Sequence, residues 1–375
     1  MSAMKAFVAI DSFKGCLSTF EANAAARHGL RECGVAPDDI TLFPVSDGGE
    51  GFCDVVSSYL DCFDRFEAVV RGPAGNLVRA GYVISGETAY IESASACGYT
   101  QVRPSERSPL RTSSFGLGQV ISDALRRGAR KIVVGMGGTA TCDGGVGLLQ
   151  ALGVRFFSDG NLLADGAPAM LVPIDRMDAR SLEGRDIVIE AWSDTRASFC
   201  GESGAVRVFG AQKGVTQEMS DDADAWMMSL ASLYGLDGQT VEGAGAAGGI
   251  GGAMFSLLGA ELCSGAEKIL ELSGLVDKLV SSASDTILVL TGEGKLDHQT
   301  LTGKLPAVVA SAAAQIRNAV FDMKIICLAG KVDSDGTGPF DAVIQITPEC
   351  IPLDVALRPD VASDNIISAL CRWFA

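Results

Sequence analysis

The stretch Gly135–Gly147, GMGGTATCDGGVG, limits what this chain can fold into more than any other. It follows the apolar run Lys131-Ile132-Val133-Val134 and precedes Leu148-Leu149-Gln150-Ala151-Leu152. That order predicts a buried strand, a tight turn and a helix. A turn of this kind presents backbone N–H groups and a helix N-terminus to an anion. Gly137, Gly138, Gly144 and Gly145 carry no Cβ, so a phosphate or carboxylate could approach the backbone closely. Thr139 and Thr141 add hydroxyls, and Asp143 adds a carboxylate able to hold Mg2+. The plain alternative is a tight turn packed for its own sake.

The same rhythm recurs at both ends of the chain. Ala6–Ile10 reads as a parallel strand ending in Asp11-Ser12-Phe13-Lys14-Gly15, and a helix capped by Ser18, with Glu21 at capping-box spacing, should follow. The run from Ile40 to Val45 ends in Ser46-Asp47-Gly48-Gly49-Glu50-Gly51. Thr286–Leu290 ends in Thr291-Gly292-Glu293-Gly294-Lys295-Leu296-Asp297, ahead of a helix from about Lys304 to Arg317 and two further strands. Ligands of open α/β sheets sit at the carboxyl ends of strands. Asp11, Ser12, Lys14, Asp47, Gly48, Gly49, Glu293, Lys295 and Asp297 are therefore candidate site residues.

The middle of the chain differs. Phe66–Val70 and Tyr82–Ile84 predict antiparallel strands, and Val154–Leu163 predicts a hairpin around Ser158-Asp159-Gly160-Asn161. The strand Asp186–Trp192 ends at Ser193-Asp194, Lys213-Gly214 follows, and an acidic helix runs from about Gln217 to Tyr234. Thr112–Gly118 opens a helix, where its hydroxyls could hold an anion or serve as a cap. The expected fold class is α/β with two domains. One is a doubly wound parallel sheet built from residues 1–65 and 285–375, and the other is a mixed α/β domain, 66–284, inserted into it.

Composition narrows the function. A net charge of −16 argues against nucleic acid and against anionic membrane surfaces, which need a basic footprint. Eleven cysteines without a CxxC pair read as buried thiols in a reducing compartment, hence a cytoplasmic protein. With only His28 and His298, a multi-histidine metal site is excluded. The N-terminus enters a strand too early to be a signal peptide. The uncharged run Gly243–Ala260 is too rich in Gly and Ala to span a membrane and reads as a glycine loop leading into a buried helix.

Six motifs together resemble the bacterial glycerate kinases of the type-1 family. They are DSFKG at Asp11–Gly15, SDGGEG at Ser46–Gly51, GGTATCDGG at Gly137–Gly145, FGAQKG at Phe209–Gly214, GAAGG at Gly245–Gly249 and TGEGKLDHQTLTGK at Thr291–Lys304. They stand in the family's order and span most of the chain. The resemblance implies ATP-dependent phosphorylation of D-glycerate with Mg2+, giving 2-phosphoglycerate, and a flavodoxin-like domain. A 3-phosphoglycerate product and a dinucleotide-dependent oxidoreductase are the alternatives. A non-catalytic sensor is disfavoured by the acids at strand ends. Cys142 stands where the family usually has Asn.

Phosphoryl transfer needs positioning and charge stabilisation. The chain lacks the Walker spacing and the protein-kinase motifs, so several glycine turns would have to build the phosphate site. Asp47, Asp143, Asp194 and Asp297 are the candidate metal or base carboxylates, with Asp143 and Asp194 assigned to the metal. Asp194, Lys295 and Asp297 are assigned to catalysis. Lys14, Lys213 and Lys304 are candidate cations for phosphate or carboxylate, with Thr139, Thr141, Gly248 and Gly249 beside them. Because the motifs come from both regions of the chain, the domains are expected to close over one small substrate and exclude water. The expected assembly is a monomer or homodimer.

Overall fold

Five apolar runs, each too short for a helix and rich in branched residues, form one parallel sheet. The structure, a computed structural model, describes residues 4–184, 186–282, 286–301, 303–317, 322–333 and 337–375. The strands in chain order are β1 (Met4–Ile10), β2 (Ile40–Leu42), β3 (Asp64–Arg71), β4 (Leu77–Ser85), β5 (Thr88–Glu92), β6 (Lys131–Gly135) and β7 (Arg155–Ser158). They continue with β8 (Asn161–Leu162), β9 (Arg176–Asp178), β10 (Val188–Trp192), β11 (Glu261–Cys263), β12 (Thr286–Leu296), β13 (Asp322–Val332) and β14 (Ala342–Gln345).

The chain divides into two compact units, Met1–Asp47 with Gly265–Ala375, and Gly48–Ser264. The expected boundaries lay later, at 65/66 and at 284/285, and the second falls outside the described residues. The first moves because the helix Phe52–Ser57 packs on β4 and β5 of the second unit, and Asp54 pairs with Arg65 of β3 at 2.7 Å. The helices Gly265–Ser273 and Leu275–Val280 pack on the helix Leu305–Gln315 and belong to the first unit.

In the first unit the order is β2-β1-β12-β13-β14, every pair parallel. This is the flavodoxin-like doubly wound order, and its switch point lies between β1 and β12. Ala6–Ile10 and Ile287–Leu290 are fully buried, as continuous apolar runs in a sheet covered on both faces should be. The helix Thr19–Glu32 covers one face and carries the expected capping box of Ser18 and Glu21. It packs on the C-terminal helix Pro359–Phe374, where Gly29 lets the two backbones meet: a Cβ there would lie 3.1 Å from Ile367 Cα.

One expectation is corrected here. Thr291–Leu296 is not a turn, because β12 continues through it, paired with β13 as far as Leu296–Val332. Glycines permit this close pairing. A Cβ on Gly292 would lie 2.1 Å from Leu328 O, and one on Gly330 would lie 2.4 Å from Gly294 O.

The second unit holds a six-stranded sheet, β11-β10-β6-β5-β4-β3, and a small sheet, β8-β7-β9. β3 and β4 pair antiparallel as expected, and so do β7 and β8. The uncharged run forms the buried helix Ala246–Leu258, interrupted by three left-handed residues at 247–249. Among the described residues no helix is long and apolar enough to cross a membrane.

Candidate functional site

The first unit gathers its candidates at the carboxyl ends of β1, β2 and β12. The chain leaves β1 at Asp11, whose N–H donates to Gly292 O at 2.9 Å and whose Oδ1 accepts from Ser12 N at 2.7 Å. Lys14 donates to Asp47 Oδ2 at 2.5 Å. Burial holds the Asp11 carboxyl well above the usual carboxylate range, and Asp47 and Glu293 push it the same way, against Lys14 and the Ser12 N–H. Asp47 in turn raises the Lys14 ammonium further above its ordinary value, and Asp11 and Glu293 push it the same way. Three carboxylates thus crowd around one lysine.

Glu293 joins this group to the start of the helix Leu305–Gln315. Thr300 Oγ1 donates to Glu293 Oε1 at 2.5 Å and accepts from Asp297 N at 3.1 Å. Asp297 Oδ1 accepts from Thr300 N at 3.2 Å and lies 3.5 Å from Lys304 Nζ. Glu293 is raised by burial and by Asp297, and is lowered by Thr300, Lys304 and Lys14. Thr300 was not singled out in the sequence, although the Asp297-x-x-Thr300 spacing of a reciprocal cap was there to be read. Lys295, assigned to the reacting phosphoryl group, points elsewhere. Its ammonium lies 3.0 Å from Asp333, which Lys331 also contacts at 3.0 Å, and its side chain is 54% exposed. His298 starts a short helix and is exposed, and His28 sits 3.2 Å from Glu32 on the surface of its helix.

In the second unit the glycine turn after β6 takes an unexpected form. Asp143 is fully buried, and its carboxylate accepts from Ser114 N at 2.7 Å and from Ser114 Oγ at 2.9 Å. It also accepts from Gly145 N and Gly147 N, each at 3.2 Å. The anion at the N-termini of the helices Phe115–Arg126 and Val146–Ala151 is therefore the protein's own carboxylate. Burial raises the Asp143 carboxyl while these donors oppose the shift. Four donors on two oxygens leave it committed to loop structure, and the metal assignment for Asp143 does not fit this geometry. Ser114 answers the question about Thr112–Gly118: it neither caps its own helix nor waits for an outside anion.

Lys213 is also buried. It donates to Thr139 Oγ1 at 3.0 Å and to Thr141 O at 2.8 Å, and burial lowers its ammonium pKa. Thr139 and Thr141 are thus brought to Lys213, with the buried Cys142 next in the chain after Thr141. Gly48 and Gly49 pack against the turn after β6: Gly137 N donates to Gly48 O at 2.9 Å, and a Cβ on Gly137 would meet Gly49 Cα at 2.5 Å. Gly138 is left-handed at φ 71°. Gly248 has φ 73°, with its Cβ position 2.1 Å from Thr141 O, and its carbonyl accepts from Gly144 N. Gly249 is left-handed as well, at φ 94°. Asp194, at the end of β10, accepts from Ser264 Oγ at 2.9 Å and is half-buried.

Glu92 and Ser93, unassigned from sequence, tie these turns together. Glu92 accepts from Gly51 N at 3.0 Å, and Ser93 Oγ donates to Gly137 O at 3.1 Å. Burial, and then Glu50 and Asp54, push the Glu92 carboxyl up to about 7 against the N–H groups of Cys53 and Gly51.

Acids and lysines thus gather near the switch point of a flavodoxin-like sheet in the first unit. The family model described as the glycerate kinase family matches residues 6–371. This chain belongs to the glycerate kinase family. Glycerate kinase of Bacillus subtilis (strain 168) is 38% identical over 371 residues, covering 95% of this chain and 93% of that one. Glycerate 2-kinase of Escherichia coli (strain K12) is 37% identical over 380 residues, covering 98% and 96%. A crystal structure from Salmonella typhimurium LT2, provisionally assigned as glycerate kinase 2, superposes with a TM-score of 0.74 at 34% identity, covering 99% of this chain and 97% of that one. Family membership makes the chain a kinase.

Proposed function

We propose that this enzyme transfers the γ-phosphoryl group of ATP to D-glycerate with the help of Mg2+, releasing ADP and 2-phospho-D-glycerate. The observation that carries the reading is the gathering of Asp11, Lys14, Asp47, Glu293 and Lys304 at the switch point of a parallel sheet, in a chain of this family. In the reaction a glycerate hydroxyl oxygen bonds to the γ-phosphorus. The bond from that phosphorus to the β–γ bridging oxygen breaks, and the hydroxyl proton passes to a carboxylate.

Asp194 is the proposed base, held in place by Ser264. Lys14 and Lys304 are the proposed cations for phosphate and substrate carboxylate, and Asp297 holds Lys304 in position. Ser12, Gly48, Gly49, Gly137, Gly138, Thr139, Thr141, Gly248 and Gly249 are the proposed contacts to nucleotide or substrate, with Lys213 organising the two threonines. Among the described residues no group of three or more His, Cys, Asp or Glu could hold a metal ion. Mg2+ in phosphoryl-transfer enzymes is held by one or two carboxylates plus substrate phosphates. Asp11 and Asp47 fit that pattern, since they are oxygen donors whose mutual repulsion a cation would relieve. Mg2+ would supply charge neutralisation to the phosphates.

The assay is ADP release from ATP, Mg2+ and D-glycerate, with the product read by phosphorus NMR. A phosphate on carbon 2 couples to one proton and gives a doublet, as expected. A triplet places it on carbon 3, and no glycerate-dependent ADP release refutes the reading. The relative named glycerate 2-kinase supports the first outcome.

A further inference from the structure

Arg107 has unspent hydrogen-bond donors beside the glycine turn of the second unit. It is half-buried, and its guanidinium carbon stands 4.9 Å from the centre of the Tyr99 ring. Its Nε is sealed from solvent without a hydrogen-bond partner. Among the described residues no acid pairs with it. Arg65, Arg79, Arg126, Arg127, Arg180 and Arg207 of the same unit are each paired with an Asp or Glu.

Its surroundings tie it to the glycine turn after β6 and to Lys213. Tyr99 N donates to Gly138 O at 3.0 Å, and Gly98 bridges Thr139. On the other side a Cβ on Gly214, the residue after Lys213, would lie 2.3 Å from Arg107 O. The Arg107 backbone is thus pressed against the Lys213 segment, while its guanidinium lies on the tyrosine that is bonded to the glycine turn.

A guanidinium with no carboxylate beside it keeps its charge and its planar donors for an outside anion. Stacking on Tyr99 fixes the plane of the guanidinium. The two Nη groups remain, a planar fork matched to two oxygens of a carboxylate or phosphate. Loss of side-chain freedom is already accounted for before a ligand arrives, which favours binding.

We propose that Arg107 binds an oxyanion of the substrate pair through its Nη edge; this rests on the reading of the chain as a glycerate-phosphorylating enzyme. The glycerate carboxylate and the nucleotide phosphates offer the same chemistry, and the experiment separates them. D-glycerate and MgATP are titrated calorimetrically, each alone, into wild type and Arg107→Met, with melting temperature as the folding control. The expected result is a dissociation constant weakened by about tenfold or more for one ligand and unchanged for the other. A weakened glycerate titration identifies the carboxylate, and a weakened MgATP titration identifies a phosphate. Both constants within about twofold of wild type overturn the proposal. Should Arg107→Met fail to fold, Arg107→Gln, whose planar amide can still lie on Tyr99, is titrated with the same criteria. Wild-type turnover judges the kinase reading separately. Wild type that binds both ligands without ADP release refutes only that reading, and wild type that binds neither overturns both.

Discussion

Lys295 and Lys304 lie in one motif, yet the fold gives them different surroundings. Lys304 stands at the N-cap of the helix Leu305–Gln315, beside Asp297 and within the electrostatic reach of Glu293. Lys295 shares Asp333 with Lys331 on the surface. A cation acting in the transition state lowers kcat and kcat/KM together when it is removed, while a surface ion pair contributes little. Lys304→Ala should therefore lower kcat/KM by one to three orders of magnitude, roughly 1.4–4 kcal/mol. Lys295→Ala should stay within about twofold. Steady-state kinetics with ATP and glycerate varied in turn checks both, and a large loss for Lys295→Ala would return that lysine to the reacting group.

Asp143 and Asp194 separate in the same way. Asp194→Asn should cut turnover strongly while leaving the melting temperature unchanged. Asp143→Ala leaves four buried donors without their acceptor and should destabilise the fold by about 3 kcal/mol or more. Denaturant melts run alongside the kinetics distinguish the two effects. An Asp143→Ala protein of wild-type stability would contradict the structural role.

At the scale of elements, the turns after β5, β6 and β10 depend on backbone contacts that allow no side chain. Gly248 combines φ 73° with a Cβ position 2.1 Å from the Thr141 carbonyl. Gly248→Ala must move backbone and should cost about 2 kcal/mol or more, with activity falling as the Thr139–Thr141 segment shifts. A melt within error of wild type would show that the turn yields easily.

Glu92 gives the same region a pH dependence. Its folded pKa of about 7 lies above the ordinary glutamate value, so the folded state holds its proton more tightly than the unfolded chain does. Its contribution to stability is full below about pH 4.3 and is lost as pH rises through the folded value, up to roughly 3 kcal/mol. The melting temperature of Glu92→Gln, measured against wild type from pH 5 to 8, should improve relative to wild type as pH rises. A constant difference would mean that Glu92 does not titrate in this range.

For the whole molecule, each unit has its own sheet and its own buried core. A ligand that binds only the folded protein stabilises it by mass action. At about 100 times its own dissociation constant, each of D-glycerate and MgATP should add roughly 2.7 kcal/mol, a melting shift of several degrees per ligand. Removing Mg2+ with a chelator should abolish the part of the shift due to ATP. An identical shift without Mg2+ would remove Asp11 and Asp47 from any metal-binding role.

What the sequence determined by itself was local. The apolar runs of β1, β12 and β13, the Ser18–Glu21 cap and the β7–β8 hairpin each follow from residues a few positions apart, where period and turn chemistry decide. The strand-end position of Asp11, Lys14 and Asp47 was legible for the same reason. Only the tertiary structure decided what those side chains meet. Asp143 sits in a motif that invites an outside anion, yet its partner Ser114 lies 29 residues away and claims the carboxylate first. The turn expected at Thr291–Leu296 became strand because β13, from a later segment, pairs with it. Lys295 found Asp333, and Arg107 found Tyr99 but, among the described residues, no acid. A sequence window shows which groups a side chain carries, but burial and non-local hydrogen bonds fix whether a charge is spent inside the fold or kept for a ligand.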